Sequence, residues 1–198
     1  MKHPRLESIN RIILQAGHGG LQGENYDPGA VDPKTGAKEN LEVKQIITRL
    51  SHKLTQSGLT VVVTPDFGLR RAVEFINANY DSNTDWAFEI HKDSAANFND
   101  KMIKRMGVYY HPVSYGSKDI AEVMVDGFKR SGANLTSWAR SDTESNHGSL
   151  GWIRRTKMLA HLIEAGFIED RVDDIADEFF AEAIARSICF ALGINNRK

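Results

Sequence analysis

The 198-residue chain has one cysteine, Cys189, so no internal disulfide can hold its fold together. An excess of charge of either sign is also missing. Its 25 Lys+Arg and 26 Asp+Glu leave a formal net charge of −1, which argues against the basic surplus of a broad nucleic-acid-binding surface. Long hydrophobic runs are absent as well. The stretch from Ile188 to Ile194 falls far short of the roughly 20 residues that span a bilayer, so membrane insertion is not expected. The opening Met-Lys-His-Pro-Arg-Leu-Glu puts charges where a signal peptide needs its apolar stretch, which predicts a chain made in the cytoplasm. What is present, 41% apolar and 26% charged residues, suits one soluble domain over 1–198, with a packed core over about 11–193 and a monomer favoured.

Apolar β-branched runs alternate with helical patterns. That alternation predicts an α/β fold: a single domain built on a twisted, mostly parallel sheet of about six strands, with helices on both faces. Expected strands are Arg11 to Ala16, Leu59 to Thr64 (buried and parallel), Trp86 to Ile90, Gly107 to His111, and two more near Leu150 to Arg154 and Leu159 to Glu164. Helical spacing marks Val43 to Leu54, Leu69 to Asn79, Ile120 to Phe128 and a last helix opening at Asp173-Asp174, with Gly58, Gly132 and Gly193 as stops. Between the first strand and first helix lies a long loop from Gly17 to Lys38. Loops of that length inside compact domains are often functional.

The polar residues at strand ends carry the functional signal. His18 follows the first strand, His91 follows the third, and Glu164 ends the last. In an open α/β sheet the carboxyl ends of parallel strands line one crevice where ligands bind. Glu39 opens the first helix, one turn before Val43 and on the side facing the sheet. Two imidazoles and one carboxylate form a catalytic-type zinc set with a position left for water.

Gly17-His18-Gly19-Gly20 after a strand, Gly-Ala-Lys-Glu39 at a helix start, Ile90-His91 ending a strand and Leu162-Ile163-Glu164-Ala165-Gly166-Phe167 occur in that order. Together they resemble the zinc-dependent N-acetylmuramoyl-L-alanine amidases of the Amidase_3 type, which include bacterial autolysins and phage endolysins. The similarity runs from Ile12 to about Leu192. It implies one zinc ion held by His18, Glu39 and His91, with Glu164 as the catalytic carboxylate. The implied substrate is peptidoglycan, cut between N-acetylmuramic acid and L-alanine, so the chain would act at the bacterial cell wall after release or export. In such a reaction zinc lowers the pKa of its water to about 7, and the carboxylate passes the proton to the leaving amine.

Three departures from the family pattern stand out. Glu89-Ile90-His91-Lys92-Asp93 replaces Ser-x-His-x-Asn, Lys157-Met158 replaces a proline before the last strand, and the loop from His18 to Glu39 is long. Glu42 is therefore a fallback ligand, though it shares a helical stripe with Gln45 and Arg49 and is expected to face water. Asp93 is either a ligand-orienting partner or a solvated turn residue. Arg154 and Arg155 either meet the anionic peptide stem of the substrate or pair with Glu164 in a structural ion pair. His147 sits in a polar loop expected to border the site, and His3, His52, His111 and His161 are read as ordinary histidines.

Other chemistries fit less well. A dinucleotide fingerprint needs glycine where Gln22 stands, and no Gly-Lys-Ser/Thr follows. A Gly-x-Ser-x-Gly elbow is absent, and Cys189 lies beside Ile188 as a packing residue. Trp86, Trp138 and Trp152 form no evident stacking row in the sequence. The alternatives are another zinc hydrolase on the same scaffold, such as a carboxypeptidase or small-molecule amidohydrolase, and a catalytically inactive cell-wall-binding module.

Overall fold

Strand β1 (Arg11–Ala16) buries Ile12 and Leu14 on one side and Ile13 on the other, as the two-residue period of a strand requires. It is flanked by β2 (Thr60–Val63) and β3 (Asp85–Asp93), both parallel to it. Next come β6 (Leu159–Phe167), parallel to β3, then β4 (Arg105–Tyr110) and β5 (Thr136–Ser141). The six strands thus lie in the order β2-β1-β3-β6-β4-β5, and the β4–β6 pairing is the antiparallel one. The computed structural model describes residues 2–20, 25–94, 105–131, 135–169 and 173–194.

Helices cover both faces. On one, α1 (Glu39–Gln56), α3 (Ser117–Arg130) and α5 (Asp173–Ala191) pack on a core containing Leu14, Trp86, Phe88, Val108 and Ile163. On the other, α2 (Leu69–Asn79) and the short α4 (Gly151–Arg155) bring Val73, Ile76, Trp152 and Ile153 onto Ile13, Ala87 and Leu162. Each large apolar side chain removed from water contributes about 1.5–3 kcal/mol.

The expected α/β class, strand number and two-sided helix layers agree with this structure. Several details differ. Leu150 to Arg154, expected as a strand, is α4. Asp142 fixes that turn by accepting the Leu150 N–H (3.1 Å) and gripping the Arg154 guanidinium, contacts that a short apolar run does not announce. The sixth strand is instead β5, whose Thr-Ser-Trp-Ala-Arg-Ser lacks an apolar run because it is an edge. Strand β2 is parallel as expected but is also an edge, so Val63 is 47% exposed. Strand β3 continues through His91 to Asp93, because its pairing with β6 persists across a bulge between those two residues. Gly132, the expected stop of the third helix, lies outside the described residues.

Candidate metal centre

The site is assembled at the carboxyl ends of β1 and β3 and the amino end of α1. Immediately after β1 the chain turns through His18 at φ 61, a left-handed conformation uncommon outside glycine and frequent at functional sites. Loop and helix are tied together by Glu39 N–H donating to Ala30 O (2.9 Å) and Asn40 N–H to Pro28 O (3.1 Å). The buried Asn40 amide also donates to Gly17 O at 3.0 Å. Glycine is required where these segments meet. A Cβ on Gly17 would stand 2.4 Å from His91 Cε1, and one on Gly29 would stand 2.5 Å from both Glu39 Oε2 and His18 Cδ2.

His18, Glu39 and His91 converge, offering one ligand atom each with all three within 4.8 Å of one another. Glu39, 3% exposed, lies between the rings. Its Oε2 is 3.2 Å from His18 Nε2, and its Oε1 is 2.9 Å from His91 Nδ1. The two imidazoles meet edge to face with centroids 4.9 Å apart. Backbone N–H groups of Ala30 (2.9 Å) and Lys92 (3.1 Å) donate to the same carboxylate. Two imidazoles converging on an almost buried carboxylate fit a divalent cation of the zinc type, which takes nitrogen and oxygen donors in a three-residue set.

The three groups also pair with one another through charge. Burial acts to raise the Glu39 carboxyl, but the hydrogen bonds and charges of His18 and His91 outweigh it and hold it well below the usual carboxylate range. Burial likewise acts to lower both histidines, and Glu39 reverses the outcome in each. His91 sits well above its ordinary value, with Glu89 adding to the effect, and His18 is also raised.

Glu164 stands across from His91 in the β3–β6 pairing. Its Oε2 is buried without a hydrogen-bond partner. Burial pushes its carboxyl up to about 7, helped by the charges of Asp93 and Glu39 and opposed by His91. Neither arginine forms the ion pair considered for it. Arg154 is held by Asp142 at 2.6 and 2.7 Å, and the exposed Arg155 contributes its carbonyl to Asn77. Asp93 pairs with Arg105. His147 is exposed and lines a cleft of about 370 Å³ with His18, Asp27, Leu69, Glu89 and His91, a cleft that Arg154, Arg155 and Glu164 do not line.

Glu42 does not face water as expected. Its carboxylate is 2.7 Å from Lys92 Nζ, whose side chain is 2% exposed, so the helical stripe that suggested solvent meets a buried cation from β3. His161 is a core histidine. Its Nδ1 accepts from Trp86 Nε1 (2.9 Å), its Nε2 donates to Ser117 O (3.0 Å), and burial pushes it down to about 4.

Two residues escaped sequence reasoning. Asp27 Oδ2 lies 2.7 Å from His18 Nδ1, and nothing local in its loop marks it. Glu89 faces His91 Nε2 at 3.3 Å, and its place two residues before His91 on a strand was the available signal.

The family model described as N-acetylmuramoyl-L-alanine amidase (Amidase_3) matches residues 12–194. No curated protein sequence matches the chain. Among solved structures, the N-acetylmuramoyl-L-alanine amidase AmiC2 of Nostoc punctiforme is 25% identical, with 90% of this chain and 94% of that one covered and a TM-score of 0.68. The N-acetylmuramoyl-L-alanine amidase of Clostridium difficile 630 shares the fold at 20% identity, covering 96% and 100% of the two chains with a TM-score of 0.73. The catalytic domain of CwlV from Bacillus (Paenibacillus) polymyxa var. colistinus does so at 22% identity, 94% and 100% coverage and a TM-score of 0.70.

Proposed function

The chain belongs to the N-acetylmuramoyl-L-alanine amidase family of the Amidase_3 type, and we propose that His18, Glu39 and His91 hold one zinc ion while Glu164 moves the proton. The reaction is hydrolysis of the amide that joins N-acetylmuramic acid to L-alanine in peptidoglycan. Its place of work is therefore the cell wall, reached by release or export. Among the described residues no helix is long and apolar enough to cross a membrane. Residues 1–198 act as one catalytic domain whose core spans about 11–193.

When bound, zinc supplies water activation near neutral pH and polarisation of the scissile carbonyl. Glu39 draws the two histidines to one point. Asp27 engages His18 Nδ1, which leaves Nε2 as the nitrogen turned to Glu39. Glu164 takes a proton from the attacking water and returns it to the alanine nitrogen as the C–N bond breaks. An amide nitrogen leaves poorly without that proton, and a carboxyl held near 7 by burial suits both transfers.

The convergence of His18, Glu39 and His91 within 4.8 Å carries this reading. Product analysis of digested peptidoglycan tests it. New L-alanine amino termini without new reducing sugars are expected from the metal-loaded protein, and their absence would reject it. A carboxypeptidase would release a terminal residue instead.

A further inference from the structure

Glu89 and His91 leave the same face of β3, being two residues apart on a strand. Glu89 is 4% exposed, and its Oε2 lies 3.3 Å from His91 Nε2. His91 Nδ1, at the other side of the ring, stands 2.9 Å from Glu39 Oε1. One imidazole thus spans two carboxylates, one at each nitrogen. The contact to Glu89 is electrostatic, because His91 Nε2 has no aligned hydrogen-bond acceptor.

Among the described residues, the strand neighbours of Glu89 do not explain its burial. Gln15, across from it on β1, sends its amide to Ala16 O (2.7 Å) and Phe67 O (2.9 Å). Leu162, across from it on β6, is apolar. Among the described residues, His91 is the one basic group within ion-pair distance of the Glu89 carboxylate. A carboxylate buried to this degree is costly unless a cation or donor compensates it.

We propose that Glu89 is a positioning residue of the metal centre: its carboxylate charge, facing His91 Nε2, holds the ring proton on that nitrogen and so commits Nδ1 to the metal. The inference rests on the reading that His18, Glu39 and His91 bind the ion. A carboxylate on the far nitrogen of a ligand histidine fixes its tautomer and ring orientation and raises its basicity. A carboxylate at this position acts on the ring through its charge. Glu89 also lines the cleft that His18, His91 and His147 line.

Zinc affinity, measured by competition with a chromophoric chelator, tests this on wild type, Glu89→Gln, Glu89→Ala and His91→Ala. Histidine-ring ¹⁵N NMR of the zinc-loaded proteins reports which nitrogen carries the proton. Glu89→Ala is expected to weaken zinc binding by about 10–100-fold, and the isosteric Glu89→Gln by less, with the His91 Nε2–H proton resonance moving upfield in both. Should Glu89→Ala fail to fold, Glu89→Gln decides alone. Affinity within twofold of wild type in the Glu89 variants, while His91→Ala loses zinc, overturns the Glu89 role and leaves the metal reading intact. So does a His91 ring protonated on Nδ1 in the loaded wild type. A wild type that takes up no zinc overturns both.

Discussion

Glu164 of β6 and His91 of β3 are direct partners in a parallel strand pairing. Their side chains leave the same face of the sheet from adjacent strands, so the carboxyl and the imidazole owe their proximity to rigid backbone. Shortening the acid by one methylene should then matter more than its charge suggests. Glu164→Asp is expected to keep its zinc and lose about 100-fold in kcat, the scale set by a misplacement of about 1 Å. Steady-state kinetics with metal analysis checks this, and activity within twofold of wild type would count against Glu164 as the proton carrier.

Glu39 and Glu42 lie on the same helix turn but face different partners, His18 and His91 for the first and Lys92 for the second. Glu39→Gln should lose zinc, because the carboxylate between His18 and His91 is gone. Glu42→Gln should keep zinc yet lose about 3 kcal/mol of stability by stranding the buried Lys92 ammonium. Metal content and denaturant midpoints separate the two outcomes, and zinc loss in Glu42→Gln would reverse the ligand assignment.

His161 predicts an acid sensitivity unrelated to the metal. It is fully buried and neutral, held between Trp86 and Ser117, with its pKa down to about 4. The unfolded chain protonates this histidine near 6.5. Because the folded value is depressed, the contribution is complete above about 6.5 and is lost as pH falls through about 4. At pH 5 that amounts to roughly 2 kcal/mol. Denaturant titrations of wild type and His161→Gln at pH 7.5 and 5 should show the smaller pH dependence in the variant, and equal dependence would contradict the assignment.

Asp142 is fully buried and serves both the Leu150 N–H and Arg154. Asp142→Ala is expected to cost roughly 2 kcal/mol by leaving that N–H unsatisfied and to leave zinc content unchanged. A lower unfolding midpoint with full metal occupancy is the outcome to look for. Unchanged stability would remove Asp142 as the anchor of α4.

How much of this could be read from sequence follows from the range of each interaction. His18 was visible because Gly17 breaks the β1 pattern, and Glu39 because it begins a helix whose apolar stripe faces the sheet. Strand β5 and helix α4 were not. The first is a polar edge strand, and the second depends on Asp142 reaching across to Leu150. The reversal of β4 and β5 relative to β6 is likewise a pairing between distant segments that no local pattern encodes. Of the partners around the rings, Glu89 had a two-residue period to betray it, whereas Asp27 reaches His18 through the fold of a loop.

Zinc content measured alongside muropeptide mass spectrometry, on wild type and Glu164→Gln, probes the division of labour between metal ligands and proton carrier most directly. One zinc per chain is expected in both proteins. Wild type should release peptides with free L-alanine amino termini, and the variant should release them at least about 100-fold more slowly. Near-normal release by Glu164→Gln, or full activity from zinc-free wild type, would contradict it.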